Sequence, residues 1–357
     1  VSVATFPELV YRRASAFRGY TPGQAAASPG GKLSSNEAPL GAAPGVREAI
    51  LAAVPVINRY PHAAPLVAAI AEHESLDPSW VAVTNGSDEL CYVLAALFIE
   101  PGAPVVLSDP CYQIDDLVSR VQGGRPVSVP LLASGGHDLE GMIAAAIEER
   151  AAVLWLPSPH NPTGVAVDPA HLTALLDAVP ATCLVVLDEA YRAYLEPAQR
   201  PPSSDLVARH PNLLVQRTFS KDYGLAGLRI GYGIAAPDLI EAINRVKAPF
   251  NVNALAIAAA QAALASQAWR AYGVALVVRE RERLELTLAE LGVRYFTSQA
   301  NFVTFRPPSV EVLMAALSAA GVVVRDGADL GLPGWVRVSI GSPPVMSRLR
   351  GVLREVL

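Results

Sequence analysis

Short apolar runs that do not alternate punctuate the chain: Val105–Leu107, Val153–Leu156 and Leu184–Leu187. Each stops at polar or proline-bearing residues, Ser-Asp-Pro after the first, Pro-Ser-Pro after the second and Asp188 after the third. Strands buried on both faces read this way. Between and before them, helical spacing runs over Val46–Val54, Ser87–Ile99, Leu139–Arg150 and Pro169–Val179. Ser87, followed by Asp88 and Glu89, reads as the cap of its helix. Strand and helix in alternation predict an α/β domain whose sheet is mainly parallel, with right-handed crossovers. Further on, Val336–Ile340 alternates, which places Arg337 and Ser339 on one side of a strand that could face solvent.

In such sheets a ligand lies beyond the carboxyl ends of the strands. Polar residues gather at those ends: Asn161 in Pro-His-Asn-Pro-Thr-Gly, Asp188 in Asp-Glu-Ala-Tyr, and the helix opening Asn85-Gly-Ser-Asp-Glu, whose free N–H groups suit a phosphate. Taken singly, these are a turn, a cap and a helix start. Together they point into one crevice.

Length and composition widen the picture. At 357 residues the chain exceeds the size of most single cores, so two domains are expected. With 52% hydrophobic and 17% charged residues it is neither disordered nor charge-driven. A net charge of −5 with no basic run gives no footprint for nucleic acid. The apolar stretches, such as Ala254–Ala265, fall short of a membrane span. Cys91, Cys111 and Cys183 form no CxxC pair and the six histidines have no ligand spacing, so neither a disulfide framework nor a metal site is expected. With no secretory pattern at the N-terminus, the expected location is cytoplasmic.

Thr218-Phe-Ser-Lys-Asp-Tyr-Gly-Leu-Ala-Gly-Leu-Arg229 carries the most chemistry. It spaces a hydroxyl, an amine and a guanidinium around glycines, as a phosphorylated aldehyde cofactor would require: Lys221 to form an imine, Ser220 and Arg229 to take the phosphate. The structural alternative is a strand-to-loop junction with a solvated lysine. Gly231-Tyr-Gly-Ile-Ala-Ala236 meets a loose dinucleotide-binding pattern, but no carboxylate follows near Ala256.

With these residues in view, the chain resembles the fold-type I pyridoxal phosphate (PLP) enzymes of the aspartate aminotransferase superfamily, and is most similar to the histidinol-phosphate aminotransferase branch. The resemblance runs from Lys32-Leu-Ser-Ser-Asn-Glu-Ala-Pro-Leu-Gly41 through Asn58-Arg-Tyr-Pro61, Asn85-Gly-Ser-Asp-Glu-Leu90, Asn161-Pro-Thr-Gly164, Asp188-Glu-Ala-Tyr191 and Arg217-Thr-Phe-Ser-Lys221. It ends at Asn301-Phe-Val303 and Val336-Arg-Val-Ser-Ile-Gly341. It implies a large PLP-binding domain, a smaller C-terminal α/β domain and an N-terminal arm, here set at 37–247, 248–357 and 1–36, with a hinge near Lys247–Asn253.

The resemblance also implies roles. Lys221 holds the cofactor and then moves the Cα proton; Asp188 pairs with the pyridine nitrogen; Asn161 and Tyr191 bond the ring's phenolic oxygen; Tyr112 stacks on the ring. Gly86, Ser87, Asp88, Ser220 and Arg229 take the phosphate, and Tyr60 reaches the neighbouring subunit's cofactor, so a homodimer is implied. Tyr20, Asn36, Arg325 and Arg337 fall at substrate positions, and two converging guanidiniums would favour a phosphate, although Arg325 could instead pair with Asp326 or Asp329.

The expected activity is ping-pong transfer of an amino group from a donor such as glutamate to a small oxo acceptor, with histidinol phosphate and imidazole acetol phosphate as the leading pair. Departures from the branch pattern at Ala38, Cys111, His62, His160, Gln113-Ile-Asp115 and Ser342–Met346 surround the substrate region. They keep open an aromatic or specialised amino-acid aminotransferase, and the cofactor's chemistry, which permits other bonds to break, keeps open a decarboxylase or eliminase on the same scaffold.

Overall fold

The computed structural model describes residues 31–357, together with Phe17, Gly19 and Gly23. Tyr20 and most of the expected N-terminal arm lie outside the described residues. The larger sheet has seven strands: β1 (Val81–Thr84), β2 (Pro104–Asp109), β3 (Arg125–Pro130), β4 (Val153–Pro157), β5 (Leu184–Asp188), β6 (Leu213–Thr218) and β7 (Gly231–Ala235), in the order β1-β7-β6-β5-β4-β2-β3. The pairs β2 with β3, β2 with β4, β4 with β5 and β5 with β6 are parallel, and β7 alone runs against its neighbours β1 and β6.

The three non-alternating runs fall within β2, β4 and β5, and β4 is buried at every position, as coverage on both faces demands. One face packs Val106, Leu154, Leu156, Val185 and Leu187 with Leu172, Leu175 and Met142; the other packs Val105, Trp155 and Val186 with Leu90, Leu94 and Val118.

Helices begin and end close to where the spacing put them, with corrections at their termini. Pro44–Ala53 starts two residues earlier than expected because Pro44 fits the first helical turn. Leu139–Glu148 starts on its Asp138 cap, which accepts from Gly141 N at 3.0 Å, and Pro169–Ala178 starts on Asp168. Ser87 is not a cap. The helix is Gly86–Phe98, preceded by Asn85, whose side chain makes no capping bond.

The second sheet is antiparallel, in the order β10 (Arg325–Asp326), β11 (Val336–Ser339), β9 (Phe302–Arg306), β8 (Arg294–Tyr295). The helices Gln267–Glu290, Val310–Ala319 and Pro343–Val356 supply its core through Leu284, Leu288, Leu313, Leu317, Met346 and Leu349. The segment before Asn36 joins this sheet: Lys32 bridges Val323, Leu33 is buried in its core, and Ser339 N donates to Leu33 O at 2.9 Å.

One glycine fixes the lysine loop to the start of the first helix. Gly224 has φ +72°, and a Cβ there would lie 2.5 Å from the Gly41 carbonyl. Backbone cannot yield as a side chain can, so Gly224→Ala is expected to lose about 2–4 kcal/mol of stability, read as a lower denaturant midpoint. An unchanged midpoint would show that this approach does not constrain the loop.

Candidate active site

Strands β1, β2, β4, β5 and β6 run the same way and end on one edge of the large sheet, and residues at or after their ends line a cavity of about 360 Å³. The lysine segment is there because β6 and β7 form an antiparallel pair. Thr218 is in register with Gly231, and Phe219 N donates to Ile230 O at 3.0 Å, so the loop leaves and re-enters the sheet at one point. Ser220 and Lys221 on the outgoing limb therefore face Arg229 on the return. Arg229 adopts φ +54° to make that turn.

Arg229 closes over the start of helix Gly86–Phe98. Gly86 makes this possible, since a Cβ on it would meet Arg229 Nη2 at 2.7 Å, and Gly231 lets Ser87 N come equally near. The first N–H groups of that helix have no side-chain cap, and its dipole presents positive potential. Ser220 Oγ lies 2.9 Å from Thr218 Oγ1 at the same end. Asp88 sits between two partners: one oxygen accepts from Arg229 Nη2 at 3.1 Å, the other from the Tyr112 hydroxyl at 3.0 Å.

Asp188 ends β5 on the cavity floor, where its Oδ1 accepts from Ala190 N at 2.9 Å. Burial pushes this carboxyl up to about 6; the Asp88 charge acts in the same direction, while the Ala190 N–H, a Gln216 side-chain hydrogen bond and Lys221 hold it back. Asn161 follows β4, and its Oδ1 accepts from Arg337 Nη1 at 2.7 Å. Because a guanidinium only donates, this bond fixes the amide's orientation and leaves its NH₂ to donate elsewhere. Tyr191 is nearly buried; its hydroxyl accepts from Asn36 Nδ2 at 3.0 Å and Lys221 Nζ lies 5.6 Å from its ring centroid.

Arg325 and Arg337 form the far wall. They are register partners on β10 and β11, so their side chains leave the same face, and both are buried, at 4% and 6% exposure. Arg337 therefore does not face solvent, and Ser339 beside it is buried too. Arg325 Nε lies 3.6 Å from Asp329 Oδ2, the acid weighed as its alternative partner, yet Arg325 lines the cavity as well.

This geometry has counterparts. The pattern of the family described as Aminotransferase class I and II matches residues 30–353. The chain belongs to the class I and II aminotransferases. It is 39% identical over 326 residues to histidinol-phosphate aminotransferase 1 of Dechloromonas aromatica (strain RCB), covering 91% of this chain and 90% of that protein. It is 41% identical over 318 residues to histidinol-phosphate aminotransferase 2 of Ralstonia nicotianae (strain ATCC BAA-1114 / GMI1000), covering 87% and 84%. The crystal structure of histidinol-phosphate aminotransferase from Sinorhizobium meliloti in complex with pyridoxal-5'-phosphate superposes with a TM-score of 0.86 at 30% identity, covering 99% of this chain and 95% of that one.

For an aminotransferase of this family the residues present fit PLP. An uncapped helix start, a guanidinium admitted by Gly86 and the Ser220 hydroxyl suit a phosphate; a carboxylate, an outward amide and a phenol suit a protonated ring nitrogen and a ring oxygen. Tyr60, expected to reach a neighbouring subunit, is 80% exposed, stacks on Phe250 at 4.4 Å and does not line this chain's own cavity, and Tyr20 lies outside the described residues. Asn36 lines the cavity, but its amide and backbone are tied to Tyr191, Ser339 and Asn301. His160 is fully buried, with Nδ1 3.0 Å from Thr163 Oγ1 and its ring edge-on to His137, so it supports the Asn161 turn from behind.

Sequence reasoning named Gln113 only as a departure from the branch pattern and passed over Gln216 and the ion group behind the lysine loop. Gln113 Nε2 donates to Asp329 O at 2.5 Å, joining the two sheets' loops across the cavity. Arg217 donates through Nε and Nη2 to the fully buried Glu189 side chain at 2.8 and 2.7 Å and also pairs with Glu74. Burial pushes the Glu74 carboxyl up, and the Arg217 guanidinium overrides it and holds Glu74 below the usual range. All the sequence offered for Gln216 and Arg217 was polarity in the second half of a strand that opens Leu-Leu-Val, which singles out no partner for either.

The raised Asp188 carboxyl has a thermodynamic consequence. The folded chain binds this proton more tightly than the unfolded chain, so stability falls as pH rises from near 4 through 6 and stays lost above. Asp188→Asn is therefore expected to stabilise the cofactor-free chain at pH 8 by about 2 kcal/mol, with the advantage disappearing on acidification toward pH 4. Urea denaturation at both pH values reads this; an advantage equal at both would contradict it.

Proposed function

We propose that this chain is a PLP-dependent aminotransferase that exchanges an amino group between glutamate and the histidinol phosphate/imidazole acetol phosphate pair. The observation that carries the substrate is the cross-strand pair Arg325 and Arg337, two buried guanidiniums leaving one face toward the cavity. Two adjacent cations suit a dianion better than a single carboxylate. The histidinol-phosphate aminotransferases it resembles over about nine-tenths of their length support the same substrate.

Bound PLP supplies an aldehyde for the lysine amine and a ring that takes up electrons. The chain's residues do the rest. Ser220, Arg229 and the N–H groups of Gly86, Ser87 and Asp88 hold the phosphate; Asp188 keeps a proton on the ring nitrogen; Asn161 and Tyr191 hold the ring oxygen; and Tyr112 covers the ring. Lys221, the amine that would hold the cofactor, would also be the base that moves the substrate's Cα proton. Tyr191 pins the lysine's side, since its ring lies beside Nζ and its hydroxyl is fixed by Asn36.

The proposal extends to a cytoplasmic homodimer in which Tyr60 reaches the partner's site and Tyr20 and Asn36 help enclose the substrate. The exposed apolar strip of Leu51, Val56, Ile57, Tyr60 and Phe250 supports a covered surface there. No helix of the described residues is long and apolar enough to cross a membrane. The domain division at 36 and 247 is part of the same reading, with Lys247–Asn253 joining the parts.

Purified protein mixed with PLP is expected to gain a visible absorption band that is absent in Lys221→Ala; a colourless wild type would sink the cofactor assignment. Histidinol phosphate should discharge that band, and Arg325→Gln should raise its KM on the order of 10- to 100-fold. Discharge by carboxylate-bearing amino acids alone would transfer the reading to an aromatic or specialised amino-acid aminotransferase. Release of carbon dioxide or an eliminated group would transfer it to the decarboxylase or eliminase alternative.

A further inference from the structure

The part of the site that PLP chemistry leaves unassigned lies beneath Asp188. We propose that Gln216, locked in orientation by Cys91, is the positioning residue that aims the Asp188 carboxylate at the cofactor's ring nitrogen. This rests on the PLP reading above.

Gln216 and Asp188 are register partners on the parallel strands β6 and β5, which puts both side chains on one face of the sheet. Gln216 is 1% exposed, on a strand otherwise buried throughout. Such an amide must have partners for both ends. Cys91, fully buried on helix Gly86–Phe98, donates its thiol to Gln216 Oε1 at 3.4 Å. That bond identifies the oxygen end, so the NH₂ end is the one turned toward Asp188, where a side-chain hydrogen bond from Gln216 favours the ionised carboxyl. Glu189 N also donates to Gln216 O at 2.9 Å, which holds the two strand ends together.

The groups acting on Asp188 from the surrounding elements are few. Asp88 and Cys91 come from helix Gly86–Phe98, Asp115 from helix Gln113–Val121 and Lys221 from the lysine loop. Burial pushes the Asp115 carboxyl and the Cys91 thiol well above their usual ranges. Asp88 opposes ionisation of Asp188, whereas Lys221 and the Gln216 amide favour it. Lys221 would be engaged by the cofactor it holds. Gln216 then remains as the side-chain donor to Asp188.

The test measures PLP dissociation by absorbance between pH 5.5 and 8.5, with the melting temperature of the cofactor-free chain as a folding control. In the wild type, PLP affinity should weaken as pH falls through about 6. Gln216→Met removes the donor at similar volume. It should weaken PLP binding about tenfold near pH 6 and less at pH 8, so that the midpoint of the pH dependence moves up. Cys91→Ser, which keeps a donor, should match the wild type. Cys91→Ala should shift the midpoint in the same direction by less, and it carries the test if Gln216→Met does not fold. An unchanged midpoint in Gln216→Met, or in Cys91→Ala where that variant stands in, overturns the inference, as does an equal loss of affinity at every pH. A wild type that binds no PLP overturns the PLP reading instead.

Discussion

Everything at the site depends on how the ends of β5 and β6 are held together, and Arg217 holds them. Its guanidinium bridges Glu189, the residue after β5, and Glu74, on the helix Ala64–Glu74, while Tyr232 on β7 donates to Glu74 at 2.9 Å. Side chains alternate along a strand, so Arg217 points away from the face shared by Gln216 and Thr218. The ions thus occupy one side of the sheet edge and the residues assigned to the cofactor in the proposed function the other. A buried pair of this kind adds little net stability, because desolvating the charges offsets their attraction. What it supplies here is geometry. Removing either partner would leave a charge in a cavity already lined by Asp222, Arg270 and Arg192.

The second sheet is joined to the first at the same edge. Arg337 reaches Asn161, Thr304 donates to Pro162 O at 2.6 Å, and Asn301 donates to Asn36 O at 3.0 Å. Residues that hold the cofactor's ring oxygen in the proposed function are therefore hydrogen-bonded to those that hold the substrate. A change at Arg337 acts on Asn161 too, so its effects on substrate binding and on the cofactor are coupled rather than additive.

Much of this was legible in the sequence because periodicity and stop residues report burial directly. The apolar runs at 105–107, 153–156 and 184–187 can only be strands covered on both faces, and the polar residues after them sit at the carboxyl edge by construction. The reversal of β7 was not legible. Gly231–Ala235 reads as another apolar strand whichever way it runs, and only pairing with Thr218 fixes its direction. The cap at Ser87 was misplaced for a related reason. Ser, Asp and Asn all favour helix starts, and the free end of this helix lacks a side-chain cap, a gap that local preference cannot foresee. Gln216 was invisible as a site residue because its importance lies in its register with Asp188, twenty-eight positions away in sequence.

The two ends of the cavity that hold an anion in the proposed function use the same electrostatic arrangement. Arg229 is paired with Asp88 and Arg325 with Asp329, at 3.1 and 3.6 Å, and in each pair the acid side chain is substantially exposed, at 35% and 44%. An arginine at a ligand site must be kept from collapsing onto other carbonyls before the ligand comes, and a neighbouring acid does that. At the end assigned to substrate the acid must then give way, and Asp329 already reaches solvent, so its carboxylate stays hydrated when a phosphate takes its place on the guanidinium. Asp88 meets the requirement differently from Asp329, because its second oxygen is held by Tyr112. In the proposed function it stays in place while its backbone N–H faces the phosphate. The permanent end of the cavity is thus built from a tethered acid and the exchanging end from a loosely paired one, matching a cofactor that remains and a substrate that leaves.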